Sequence, residues 1–178
     1  MKKLHSFLIF LFIIFNSFSQ TKKETENWIN QNINGYSVDY GNNPIHVVEN
    51  IFIENRYLYF YHHWKREDEN YYDGTWSKIA LKDIKSIEYS YDKSPGLNNK
   101  WIELHLNFTK GKCSQGKLDD EFQGKDNVAY EVQPERTIIT QRLNMDLLKS
   151  GMKKRIEKAF LSIIKQYGGN ASVKKEAF

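Results

Sequence analysis

NMDLLKSGMKKRIEKAFLSIIKQYGG, residues 144–169, is the stretch that decides how the rest of the chain must fold. At 100° per residue, Met145, Leu148, Met152, Ile156, Ala159, Phe160, Ile163 and Tyr167 fall on one stripe, the mark of an amphipathic helix. Asn144 is a good N-cap, and Gly168-Gly169 supplies the left-handed backbone that ends helices. The spacing predicts one long C-terminal helix, although Gly151 inside it costs about 1 kcal/mol. Burying each larger side chain of the stripe yields about 1.5–3 kcal/mol, so this helix must dock on an apolar surface. The side bearing Lys154, Lys158 and Lys165 reads as solvated, and Leu147 and Leu161 interrupt it as a sign of a partner contact. After the double glycine, NASVKKEAF (170–178) reads as a disordered tail.

The docking surface is written in the middle of the chain, where the apolar period changes to two. IHVVENIFI (45–53), RYLYFYHHW (56–64), TWSKIAL (75–81), IKSIEYSY (84–91) and WIELHLNF (101–108) are rich in β-branched and aromatic residues. Glu54-Asn55, Asp73-Gly74, Lys82-Asp83 and Ser94-Pro95-Gly96 punctuate them, and such short spacings favour antiparallel neighbours. Residues 109–125 are polar and glycine-dotted and read as a long loop; NVAYEV (127–132) and TIIT (137–140) bring the count to about seven strands. YFYHHWKREDENYYDGTW (59–76) looks like chemistry, but alternation sends His62 and His63 to opposite faces, so the two cannot share one metal ion. It reads as two strands and a turn, with His62 a neutral core histidine.

Ahead of the strands, Thr21 and Glu24 have capping-box spacing, Trp28, Ile29 and Ile33 form a stripe, and Asn34-Gly35 is a stop, which predicts a short helix. Lys2 and Lys3, the apolar run FLIFLFIIF (7–15) and small Ser17 and Ser19 predict a signal peptide over residues 1–19, cleaved near Ser19. Nine apolar residues at about 1.5 Å each fall short of a hydrocarbon core of about 30 Å, so no membrane anchor is expected there. The mature chain is expected in the periplasm or secreted, with no transmembrane segment.

This order of elements resembles a pleckstrin-homology-like (PH-like) barrel, in which a C-terminal helix closes one open end. IALKDIKSIEYS (79–90) and MKKRIEKAFLSIIKQYGG (152–169) are also similar to phrases in exported bacterial proteins of that type. The resemblance spans roughly residues 45–168 and implies a single barrel domain over residues 20–169. Members of the fold bind phosphoinositides through a basic loop between their first two strands. Here that loop is read as Glu54-Asn55, short and acidic, so this binding is not carried over.

Composition narrows function further. The formal net charge of +4 is modest, and residues 144–178 hold eight Lys/Arg against three Asp/Glu. No nucleic-acid motif accompanies that charge, so no nucleic-acid partner is expected. Cys113 is the single cysteine, which excludes an internal disulfide, and in a polar loop it reads as inert. Asp68 and Asn70 begin a calcium-loop pattern, but Tyr72 stands where an oxygen ligand is required. His46, His63 and His105 would suit zinc only if their strands brought them together. GKCSQGKL (111–118) matches G-x-x-x-x-G-K, yet Leu118 replaces the magnesium-binding hydroxyl and Asp119-Asp120-Glu121 follow. There is no G-x-S-x-G, and solvated carboxylates in a loop make a poor acid–base pair. No catalytic residue, metal site or cofactor is assigned.

Aromatic residues make up 15% of the chain, and several point away from the expected core. Tyr57, Tyr59, Tyr61, His63, Trp76 and Trp101 are the candidate ligand-binding face, exposed unless the N-terminal helix covers it. The expected fold is α+β and mainly antiparallel β: about seven strands in a bent sheet or small barrel, capped by the long C-terminal helix, with a short N-terminal helix. The expected function is a non-catalytic exported binding or interaction module for a protein, peptide or small apolar ligand. The alternative is a lipocalin-like carrier with an internal cavity.

Overall fold

The computed structural model describes residues 21–39, 45–66, 71–91, 101–118 and 124–174. The expected signal peptide, the acidic turn at Glu67–Glu69, the Pro95-Gly96 turn, Asp119–Glu121 and the last four residues lie outside these segments. The fold is α+β and mainly antiparallel, with nine strands in two sheets among the described residues.

Helix α1 (Lys22–Ile33) starts at the predicted capping box: Thr21 Oγ1 accepts from Glu24 N–H at 3.2 Å, and Glu24 accepts from Thr21 N–H at 2.8 Å. Strands β1 (Ile45–Glu54), β2 (Tyr57–Arg66) and β3 (Tyr71–Ala80) form an antiparallel meander. The β1–β2 turn is Asn55-Arg56, one residue later than predicted, with φ of 48° and 73° as a two-residue hairpin turn requires. A tight turn of three residues, Leu81–Asp83, then carries the chain to the second sheet, begun by β4 (Ile84–Tyr91) and β5 (Trp101–Phe108). Strands β6 (Cys113–Lys117) and β7 (Glu131–Gln133) add to the free edge of β3, and β8 (Ile138–Asn144) pairs with β5. The orders are β1-β2-β3-β6-β7 and β8-β5-β4-β9, the last strand being β9 (Ser172–Val173).

The expected small barrel is not formed, because the two sheets do not close on each other. The reason lies at the outer edge of β1. Asn30 of α1 binds Ile53 C=O at 2.9 Å and accepts from Ile53 N–H at 2.7 Å; Asn34 does the same to Ile51 at 2.8 and 2.9 Å. Two side-chain amides one helical turn apart thus stand in for a neighbouring strand and end the ladder. An isolated bridge, Ser37 to Leu143, and a polar seam connect this region to β8. In that seam buried Glu49 accepts from Arg142 N–H and Nη1, both at 2.9 Å, while Gln141 Nε2 donates to Ser37 Oγ at 2.8 Å.

The C-terminal stretch is helical but not one long helix. It divides into α2 (Asp146–Lys149) and α3 (Met152–Gln166, 15 residues), linked through Gly151 at φ 69°. Only glycine adopts that left-handed backbone cheaply, and the break turns Leu147 fully inward, so Leu147 is core and not a partner contact. Met152, Ile156, Phe160 and Ile163 of the predicted stripe are buried, joined by Ile164. They share one core with Ile29 and Ile33 of α1, with Ile51, Leu58, Phe60 and Ile79 of the first sheet, and with Ile102, Leu104, Ile139 and Leu143 of the second. Two further expectations change. Residues 113–117, predicted as loop, are strand, and Cys113 is fully buried against Ile79, where burial pushes its thiol pKa up. The predicted tail begins as β9, parallel to β4, with Lys174 N–H on Ile87 C=O at 3.0 Å.

Candidate functional site

The register of β2 and β3 assembles most of the predicted aromatic face. Tyr61 lies opposite Trp76 with ring centres 4.8 Å apart, His63 stacks on Tyr61 at 5.8 Å, and Phe52 meets Trp76 at 5.7 Å. Tyr57 and Tyr59 continue the row at 6.3 Å. Trp101 does not belong to it: it begins β5 in the other sheet, under the guanidinium of Arg142. Alternation predicts which face a residue takes but not which sheet.

Much of this face is also covered. Tyr59 and Trp76 retain 8% exposure because Leu118, Val128 and Tyr130 pack over them as a second, smaller core. The covering chain is the β6–β7 connection, whereas α1 lies in the main core on the other side of the sheet. Close approach is possible because Gly116 stands opposite Trp76. A Cβ there would run into Val128 and sit 2.5 Å from Ala129 O. Burial beside Tyr59 pushes the Tyr130 pKa up to about 12. Lys125 lies over Tyr59 at 5.1 Å; burial pulls its pKa down, but ion pairs to Asp126 at 2.7 Å and Glu54 at 2.8 Å outweigh that and raise it.

At the Tyr57 end of the row the surface opens into a cleft of about 540 Å³, within the size range of small-ligand sites. Lys22, Arg56, Tyr57, Ala80, Lys82, Gln166 and Tyr167 line it, so three cations converge there and none of these residues is acidic. Four separate parts of the chain supply them: the first turn of α1, the β1–β2 turn, the β3–β4 turn and the end of α3. Arg56 C=O accepts from Leu81 N–H at 2.9 Å, pinning the two turns together. Lys22 Nζ lies 4.6 Å over the Tyr167 ring, and the Arg56 guanidinium lies 5.4 Å from that of Tyr57. Tyr167 OH donates to the buried Glu26 carboxylate at 2.9 Å; burial and that bond raise its pKa and keep it neutral. Arg56 holds the left-handed backbone that the two-residue turn requires. Sequence reading missed this cleft and took the β1–β2 loop as acidic. Glu54 instead turns to Lys125, and Arg56 occupies the turn.

The remaining candidates do not assemble. His46 pairs with Asp39 at 3.3 Å on the first sheet, and His105 lies on the second, so His46, His63 and His105 do not converge. Among the described residues, no group of three or more His, Cys, Asp or Glu side chains could hold a metal ion. GKCSQGKL contains strand β6 where a phosphate loop needs a helix. His62 is only partly buried and His63 is the buried histidine, the reverse of the expected placing; desolvation still lowers the His62 pKa against the pull of Glu49 and Asp73. Ser90 Oγ and His105 Nε2 lie 2.7 Å apart, the spacing of nucleophile and base, with Thr140 Oγ1 2.9 Å from Nδ1. Ser90 lies one residue from the end of β4, and its hydroxyl is also 3.2 Å from Glu103 Oε2, so these side chains form a polar cluster across β4, β5 and β8.

No helix among the described residues is long and apolar enough to cross a membrane. Comparison with protein-family models, with curated proteins and with solved structures finds no match, so the cationic cleft itself is the ground on which function is read.

Proposed function

We propose that the chain is a non-catalytic, exported binding module that holds its ligand in the cleft between the β1–β2 turn and the end of α3. The observation that carries this reading is the cleft: about 540 Å³, with cations and aromatic rings on its walls. A preformed concavity with a few convergent polar groups is the usual form of a small-ligand site. The basic start, apolar run and small residues before Gln20 support export. Docking of α3 against antiparallel sheets supports kinship in element order with the PH-like fold, from which the open sheets depart. The lipocalin-like alternative has less behind it, because Ile156, Phe160, Ile163 and Ile164 occupy the ground between the sheets that a carrier would keep empty.

Native mass spectrometry of the protein recovered from the periplasm or medium tests this reading. The expected species lacks residues 1–19 and carries no tightly held apolar molecule. A co-purified apolar molecule whose removal destabilises the fold would favour the carrier instead.

A further inference from the structure

We infer that the cleft is an oxyanion site, built for a small ligand whose carboxylate or phosphate group sits among Lys22, Arg56 and Lys82. The inference rests on the binding-module reading and names the ligand that reading leaves open. Lys22, Arg56 and Lys82 line one concavity, and no acidic residue on its wall offsets them. Like charges gathered in a cleft repel each other unless an anion enters, and low-dielectric walls focus their field. Several lysines elsewhere have a carboxylate partner: Lys110 with Glu135, Lys125 with Glu54 and Asp126, Lys149 with Asp146, Lys153 with Glu157 and Lys174 with Glu88. The nearby carboxylate, Glu26, is 2% exposed and is taken by Tyr167 OH and by Lys23 at 3.8 Å.

The three cations also differ in a useful way. Arg56 presents a planar fork from a turn pinned to Leu81, suited to two parallel hydrogen bonds with one oxyanion. Lys22 and Lys82 are point charges on flexible stems, able to follow ligands of different shape. The rings of Tyr57 and Tyr167 leave room for a flat or apolar body beside the charged group. The site thus fits a small organic oxyanion better than an inorganic ion alone.

Backbone-amide NMR titration of the purified protein tests this with four probes that share one ring: phenyl phosphate, benzoate, phenol and benzylamine. The expected result is saturable shifts at Arg56, Lys82, Gln166 and Tyr167 with phenyl phosphate, benzoate or both, and none with benzylamine. Comparing the first two separates phosphate from carboxylate preference. The double variant Arg56→Asn, Lys82→Gln should bind the preferred anion about tenfold or more weakly. Asn tolerates left-handed backbone, and an unchanged amide spectrum away from the cleft verifies that the variant is folded. If phenol or benzylamine moves the cleft amides as strongly as the anions, the oxyanion inference fails and the binding-module reading stands. If no probe moves them, both fail.

Discussion

Replacing Asn30 and Asn34 by alanine should uncouple α1 from the edge of β1. Each side chain makes two hydrogen bonds of 2.7–2.9 Å to one strand residue, so each substitution removes that pair and strands one N–H and one C=O beneath the helix; Asn34 also loses longer bonds to Asn30 C=O at 3.4 Å and from Gln141 at 3.5 Å. A net hydrogen bond is worth about 0.5–1.5 kcal/mol, and an orphaned buried group costs about 1–3 kcal/mol. At Asn30, inside α1, alanine returns roughly 0.5 kcal/mol through its better helix propensity, whereas Asn34 stands at the C-cap. With two groups orphaned, the expected loss is therefore about 2–5 kcal/mol for each single variant, a large share of the 5–15 kcal/mol typical of a domain. The double variant need not be additive, because the two residues hold one edge. Asn32→Ala is the control: its side chain bonds Trp28 C=O within α1 at 2.7 Å and never reaches the strand. Equilibrium urea unfolding should show lower midpoints for Asn30→Ala and Asn34→Ala at unchanged slope, with amide protection falling at Ile51 and Ile53. The reasoning is refuted if neither loses more stability than Asn32→Ala.

Two further outcomes follow from the second core and from the partly buried His62. Gly116→Ala places a methyl group against Val128 and Ala129, so it should displace the covering segment and expose Trp76, read as a red-shifted, more quenchable indole emission. An emission spectrum identical to the parent's would contradict the close packing. His62 has a lowered pKa through desolvation, so the unfolded chain binds its proton first. Its contribution is complete above the ordinary histidine value of about 6.5 and is lost as pH falls from there through the lower folded value. Stability measured by urea at pH 7.5 and 5.5 should drop less on acidification in His62→Gln than in the parent, and an equal drop would rule out His62 as a contributor.

The sequence displayed most local structure because local signals carried it. WIELHLNF alternates in its burial as its letters alternate, and Thr21 with Glu24 closes the capping box. What was hidden depended on distant partners. CSQGK lacks any strand pattern of its own and becomes β6 because β3 offers an open edge and the chain after it folds back over Gly116. Gly151 looked like a tolerated cost inside one helix, whereas the left-handed turn it allows is what buries Leu147. Asn34 read only as part of a helix stop, and nothing in the periodicity showed that it and Asn30 would replace a neighbouring strand. The aromatic row was legible through alternation, but its covering by Leu118, Val128 and Tyr130 was not. The cleft was invisible for the same reason: Lys22, Arg56, Lys82 and Tyr167 come from four places in the chain and meet only after folding.

The central claim is that α3 belongs to one core with both sheets, which fixes its end beside the β1–β2 turn and so creates the cleft. Native-state hydrogen exchange at rising denaturant tests it most directly, by following the amides of Ile156 to Ile164 beside those of Phe60 in the first sheet and Leu104 in the second. The account predicts that all three sets merge into one global unfolding reaction. Opening of α3 at much lower free energy, with both sheets still protected, would contradict it.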